Sequence, residues 1–221
     1  DRSVSGSMQS LAVEAPSLPR RDITIDFLRG LALAVITVDH LRNHWLSFFT
    51  YRSAGFFCAA FVFVFLSGYV SGKVYSHYLA EGGFNVMLRK TWQRAATIYG
   101  AHVLLSVLII MAAQSVPSPL APFGREIELI ASQPGEALLA ALLLMPCAPI
   151  LDILPLYVVF LATAPFALVS FYRGNAKPVL LGSFAIWAAA QAGFSLPIPP
   201  FSHGFDAASW QFLFLIALYF G

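Results

Sequence analysis

Apolar residues run along this chain in long blocks parted by short polar stretches. The blocks cover about Ile25–Phe49, Phe56–Tyr75, Ala95–Ala113, Ile150–Tyr172 and Val179–Phe194, and a sixth opens near Trp210 in WQFLFLIALYFG. Roughly 20 mainly apolar residues make a helix long enough to cross a bilayer. Backbone polar groups inside hydrocarbon must be satisfied within the segment, which helices achieve. The pattern therefore predicts an all-α, polytopic transmembrane helix bundle of about 5–6 spans.

One segment fits no span. In EIELIASQPGEALLAALLLMP (126–146) the apolar run from Ala137 to Met145 is too short to cross. Charge in short loops bears on its placement, because basic residues favour the cytoplasmic side. Arg20 and Arg21 precede the first block. Lys73, Arg89, Lys90 and Arg94 fall between the second and third, and Arg173 and Lys177 fall between the fourth and fifth. All three groups are cytoplasmic if 126–146 is an interfacial or re-entrant helix on the outer side. Were it a true span, Arg173 would lie outside. The first arrangement puts the N-terminus in the cytoplasm, with residues 1–21 a disordered cytoplasmic tail.

The first block carries charge at both ends. It reads DITIDFLRGLALAVITVDHLRNHW (22–45), with Asp26 and Arg29 near its start and Asp39 and His40 near its far end. Ionisable groups at the centre of a span cost at least ~2.5 kcal/mol each on insertion scales, so they are functional candidates by default. Asp39 lies about 20 Å along the helix axis from Asp26. Arg29 then belongs to the inner boundary, and the Asp39–His40 pair to the outer half of the membrane. Histidine titrates near neutral pH and suits general-base work. A satisfied core imidazole, bonded to Asp39 or a facing hydroxyl, is the plain alternative for His40.

Composition narrows the classes further. Hydrophobic residues make up 58% of the 221, charged residues 11%, and mean hydropathy is +0.74. Soluble domains carry about 25% charged residues. A formal net charge of +2 points to no nucleic acid. Cys58 and Cys147 lie in apolar surroundings and read as buried, unpaired thiols. His40 and His44 stand four apart, but no HExxH and no third ligand accompanies them, so no metal site is expected. No phosphate-binding glycine loop occurs.

RDITIDFLRGLALAVITVDHLRN (21–43), FVFVFLSGYVSGKVY (61–75), LDILPLYVVFLATAPF (151–166) and WQFLFLIALYFG (210–221) together resemble the OpgC family, membrane proteins of osmoregulated periplasmic glucan succinylation. That family is similar to the wider acyltransferase-3 superfamily. The resemblance implies a transmembrane acyltransferase-like domain over 22–221 in the bacterial inner membrane. Its reaction would move an acyl group, succinyl among the candidates, from cytoplasmic acyl-CoA to a hydroxyl of a periplasmic glucan. Acyl-CoA would be a donor substrate, with no tightly bound cofactor. His40 would be the base, and Asp39 or Asp152 would orient its imidazole. Arg29, Arg89 and Arg94 would meet the donor's anionic groups. Ser67, in the small-residue stretch Ser67-Gly68 with Gly72, would line a path for the acyl chain or pantetheine; close helix packing is the plain reading of that stretch. The sequence departs from the family pattern at Cys58 and Phe61, where acids are expected. It also stops inside an apolar run, so the domain reads as incomplete at its C-terminus, and a half-bundle would need a second copy (a homodimer) or another chain to enclose a site.

Two other classes fit the composition. A transporter or flippase of an acyl or glycan group would also carry intramembrane charge. A non-catalytic membrane assembly module would tolerate a neutral replacement of His40.

Overall fold

A computed structural model describes residues 22–40, 59–115, 124–145, 151–193 and 206–221, excepting the side chains of His40 and of residues 124–126. The tail 1–21, the end of the first block, and Cys58, Cys147, His44 and His203 lie outside the described residues. Every described element is a helix: α1 (Ile23–His40), α2 (Ala59–Ser115), α3 (Gly124–Ser132), α4 (Pro134–Leu142), α5 (Ile153–Tyr172), α6 (Ala176–Gln191) and α7 (Ala207–Phe220).

Local chemistry explains several helix starts. Asp22 Oδ1 accepts from Thr24 N at 3.0 Å and opens α1. Asp206 accepts from the amides of Ala208 and Ser209 at 3.2 and 3.1 Å and opens α7. Such carboxylates satisfy amides that have no partner in the first turn. Pro134 begins α4, where a missing N–H costs nothing.

The second and third blocks are not separated by a loop. They are one helix of 57 residues, α2, with a single non-helical residue, Gly83, at φ 74° and ψ −179°. Hydropathy marks where a helix is apolar, not where it ends, and residues 76–94 hold no proline while Leu79, Ala80, Glu81 and residues 87–90 favour helix on either side of the glycine pair. The bend is sharp. In a straight helix Tyr75 and Arg94 would stand ~29 Å apart, yet both line one cleft. Lys90 Nζ likewise lies 6.0 Å from the centre of the Tyr78 ring. The chain thus doubles back at Gly83, in a conformation that residues with a Cβ hardly adopt.

α2 is the hub. It packs against α1, α3, α4, α5 and α7, and α6 packs mainly on α7. Its first half buries Ala60, Phe63, Val64, Ser67, Gly68, Ser71, Gly72 and Tyr75, spaced three and four apart on one face. There α7 comes close enough to exclude side chains. A Cβ on Gly68 would sit 2.6 Å from the Phe214 carbonyl, and one on Gly72 would collide with that of Leu218. Small residues at this spacing let helix backbones touch, so α7 fills the notch and leaves no acyl path beside the two glycines. Phe61 stacks on Trp210 with ring centres 4.6 Å apart. The aromatic found where family acids were expected therefore serves the α2–α7 seam.

The segment 126–146 forms two helices, α3 and α4, of nine residues each, against the single helix expected. Each is ~13.5 Å long, under half a bilayer's hydrocarbon thickness. Tyr99 of α2 donates to the Leu142 carbonyl at 2.9 Å and fastens the end of α4.

Two helices, α2 and α5, are long and apolar enough to cross a membrane by length and composition. Large apolar side chains also stand exposed, among them Leu104, Leu105, Leu108 and Met111 on α2 and Leu181, Phe184 and Ile186 on α6. A surface of this kind fits association with a membrane.

Candidate functional site

Arg29 and Arg94 meet although 65 residues part them in the sequence. α1 brings the first, and the returning half of α2 brings the second. They line one cleft of about 100 Å³ with Val70, Ser71, Val74 and Tyr75 of α2 and Tyr157 of α5. Two guanidiniums, two phenols and a hydroxyl face a space that no carboxylate among the described residues lines.

Neither arginine has a counter-ion among the described residues. The Arg29 guanidinium lies 5.8 Å from the Phe63 ring centre, and its Nε is buried without a hydrogen-bond partner. Arg29 is half-buried and Arg94 exposed, and a cleft with two guanidiniums and two phenols suits an anion that accepts from several N–H and O–H donors at once. Tyr75 is buried and places its hydroxyl-bearing ring at the same cleft.

Arg89 does not join them. It is exposed on α2, and five residues from Arg94 is ~140° around the helix. Ser67 is fully buried one turn before Ser71 on the cleft-lining face, and its hydroxyl has no hydrogen-bond partner.

The acids and the histidine lie elsewhere. Asp39 is half-buried on α1, ten residues and ~15 Å of helix axis beyond Arg29. His40 is the last residue of α1, and its side chain lies outside the described residues. Asp152 holds the N-cap position of α5 in αR geometry without capping through its side chain. It stands five residues, ~7.5 Å of helix axis, before Tyr157. Arg29 and Arg94 are thus brought together, while Asp39, Asp152 and Ser67 stand around their cleft rather than in it.

Ser71, Tyr75 and Tyr157, which the structure brings to the cleft, were not singled out in the sequence as site residues. A signal was available. Ser67, Ser71 and Tyr75 recur every four residues on one helical face, a polar stripe in an otherwise apolar block. His102, without a convincing partner in the sequence, is fully buried in the second half of α2, and Ser106 Oγ donates to its carbonyl at 2.9 Å.

Residues 21–221 match a protein-family model, described as OpgC protein. No curated protein and no solved structure matches the chain.

Proposed function

This chain belongs to the OpgC family, and from that premise we propose that it is a multi-pass inner-membrane O-acyltransferase moving a succinyl group from cytoplasmic acyl-CoA to a hydroxyl of a periplasmic glucan. Family membership implies a transferase role in glucan modification; donor, base and topology are our reading. In it α1, the two halves of α2, α5, α6 and α7 supply the 5–6 crossings, with the N-terminus and the Gly83 bend cytoplasmic.

The observation that carries the proposal is the pair of arginines lining one cleft. Arg29 and Arg94 would hold the donor's anionic part, with Tyr75 and Tyr157 as further donors. At the other end of α1, His40 would take the proton of the sugar hydroxyl as its oxygen attacks the thioester carbonyl. The C–S bond then breaks, the thiolate of coenzyme A leaves, and the imidazolium returns the proton. Asp39 or Asp152 would orient the ring and stabilise its cation. A positioned base contributes typically about 10²–10⁴-fold.

The test is transfer of label from radioactive succinyl-CoA to purified periplasmic glucan by membranes carrying the chain. His40→Gln at matched expression is expected to lower transfer about 10²–10⁴-fold. Equal incorporation by both chains removes His40 from the mechanism, and no incorporation by the parent rejects succinyl transfer by this chain.

A further inference from the structure

A groove apart from the arginine cleft lies at the Gly83 bend. Where α2 doubles back, its two halves part against the C-terminal end of α5. Leu79 before the bend, Phe84 just after it, and Phe166, Val169 and Tyr172 of α5 line a space of about 550 Å³, within the ~300–1,000 Å³ usual for ligand sites. It shares no residue with the arginine cleft, and Phe166 lies ~13.5 Å of helix axis from Tyr157.

Its polar groups are few and one-sided. Arg173, at the C-cap of α5, is the one charged group in the lining among the described residues and is exposed. The Ser170 hydroxyl donates to the Phe166 carbonyl at 2.9 Å, so its proton is engaged. An apolar trough ending in a single cation complements an amphiphile with one negative charge, and matches poorly a nucleotide with several phosphates. In the topology proposed above the groove lies at the cytoplasmic surface. Tyr172 in its lining is 77% exposed, a side chain that favours the headgroup level. Arg89 and Lys90 stand exposed near the same bend, and exposed basic residues there are drawn to anionic lipid.

We propose that this groove binds a monoanionic phospholipid of the inner leaflet, its phosphodiester at Arg173 and one acyl chain along Leu79, Phe84, Phe166 and Val169. The site would anchor the Gly83 bend at the cytoplasmic surface and hold the returning half of α2, with Arg94, in register with α1. The inference rests on the membrane placement proposed above and not on the transfer reaction.

The test uses the full chain purified in neutral detergent and offered phosphatidylglycerol or phosphatidylcholine of identical acyl chains, with retained lipid counted by native mass spectrometry. The parent is expected to prefer phosphatidylglycerol ~5-fold, the ~1 kcal/mol of one basic residue. Arg173→Gln should bring the ratio near one, Arg173→Lys should restore it, and Val169→Trp should lower retention of both lipids by filling the trough. Equal retention by the parent overturns the proposal, as does a preference that survives Arg173→Gln. Displacement of phosphatidylglycerol by coenzyme A from the parent but not from Arg173→Gln also overturns it, since the groove would then be a nucleotide site. Release of the chain from membranes by alkaline carbonate would overturn the membrane placement itself.

Discussion

The two halves of α2 belong to one helix and face different neighbours. Residues 59–82 are pressed against α7 and α5, with Gly68 and Gly72 admitting the α7 backbone directly. Residues 84–115 carry exposed leucines, a glycine at 100 with open space around it, and the basic residues Arg89, Lys90 and Arg94. The first half is a fixed wall, and the second delivers a charge to it. A functional cation need not sit on a tightly packed helix if a bend returns it to one that is.

The largest effect should separate the halves by their glycines. Gly72→Leu must displace the Leu218 carbonyl and is expected to cost about 3 kcal/mol or more, read as lost thermal stability in detergent. Gly100→Ala, with nothing within 4 Å of the added carbon, should be neutral or stabilise by up to ~1 kcal/mol. Similar losses at both would dissolve the contrast.

The arginines of the second half should differ next. If Arg94 holds an anion and Arg89 only faces out, Arg94→Gln should lower kcat/KM for transfer about 10- to 100-fold, the ~1.5–3 kcal/mol of a hydrogen bond to a charged group. Arg89→Gln should leave it unchanged. Steady-state kinetics with varied acyl-CoA decides this, and equal effects would mean that both act through general surface charge.

The bend itself comes third. Gly83→Ala forces a Cβ into a glycine conformation at about 1–3 kcal/mol, and should move Arg94 relative to Arg29. A bromine or spin-label distance between Tyr78 and Lys90 positions would lengthen if the halves open. The smallest effect is at Trp92, whose Nε1 donates to the Ala162 carbonyl at 3.2 Å across to α5. Trp92→Phe should cost ~1 kcal/mol in thermal stability and leave transfer unchanged.

Much of the fold was legible in the sequence. Each of the six apolar blocks begins or ends within a few residues of a described helix end, because a run of apolar residues is a local property. The junction inside α2 was not legible. Two blocks and an expected loop are one bent helix, since 76–94 is more polar than its flanks and still helical. The arginine cleft was half legible. Arg29 and Arg94 were marked by chemical type, but Arg89 was grouped with them although five residues turn a helix by ~140°. Ser71 and Tyr75 were passed over because a polar stripe inside an apolar block resembles ordinary packing until a neighbour's charge faces it.

The sequence by itself determined an all-helical, apolar chain and a first helix with Arg29 near one end and Asp39–His40 at the other. These follow from composition and from spacings within a few turns, which helix geometry converts directly into faces and distances. Only the tertiary structure decided that α2 folds back at Gly83, that Gly68 and Gly72 serve α7 rather than a substrate, and that Arg94 rather than Arg89 joins Arg29. Those outcomes depend on the direction of the bend and the rotation of each helix about its axis. Packing between distant segments sets both, and no short stretch of sequence encodes it.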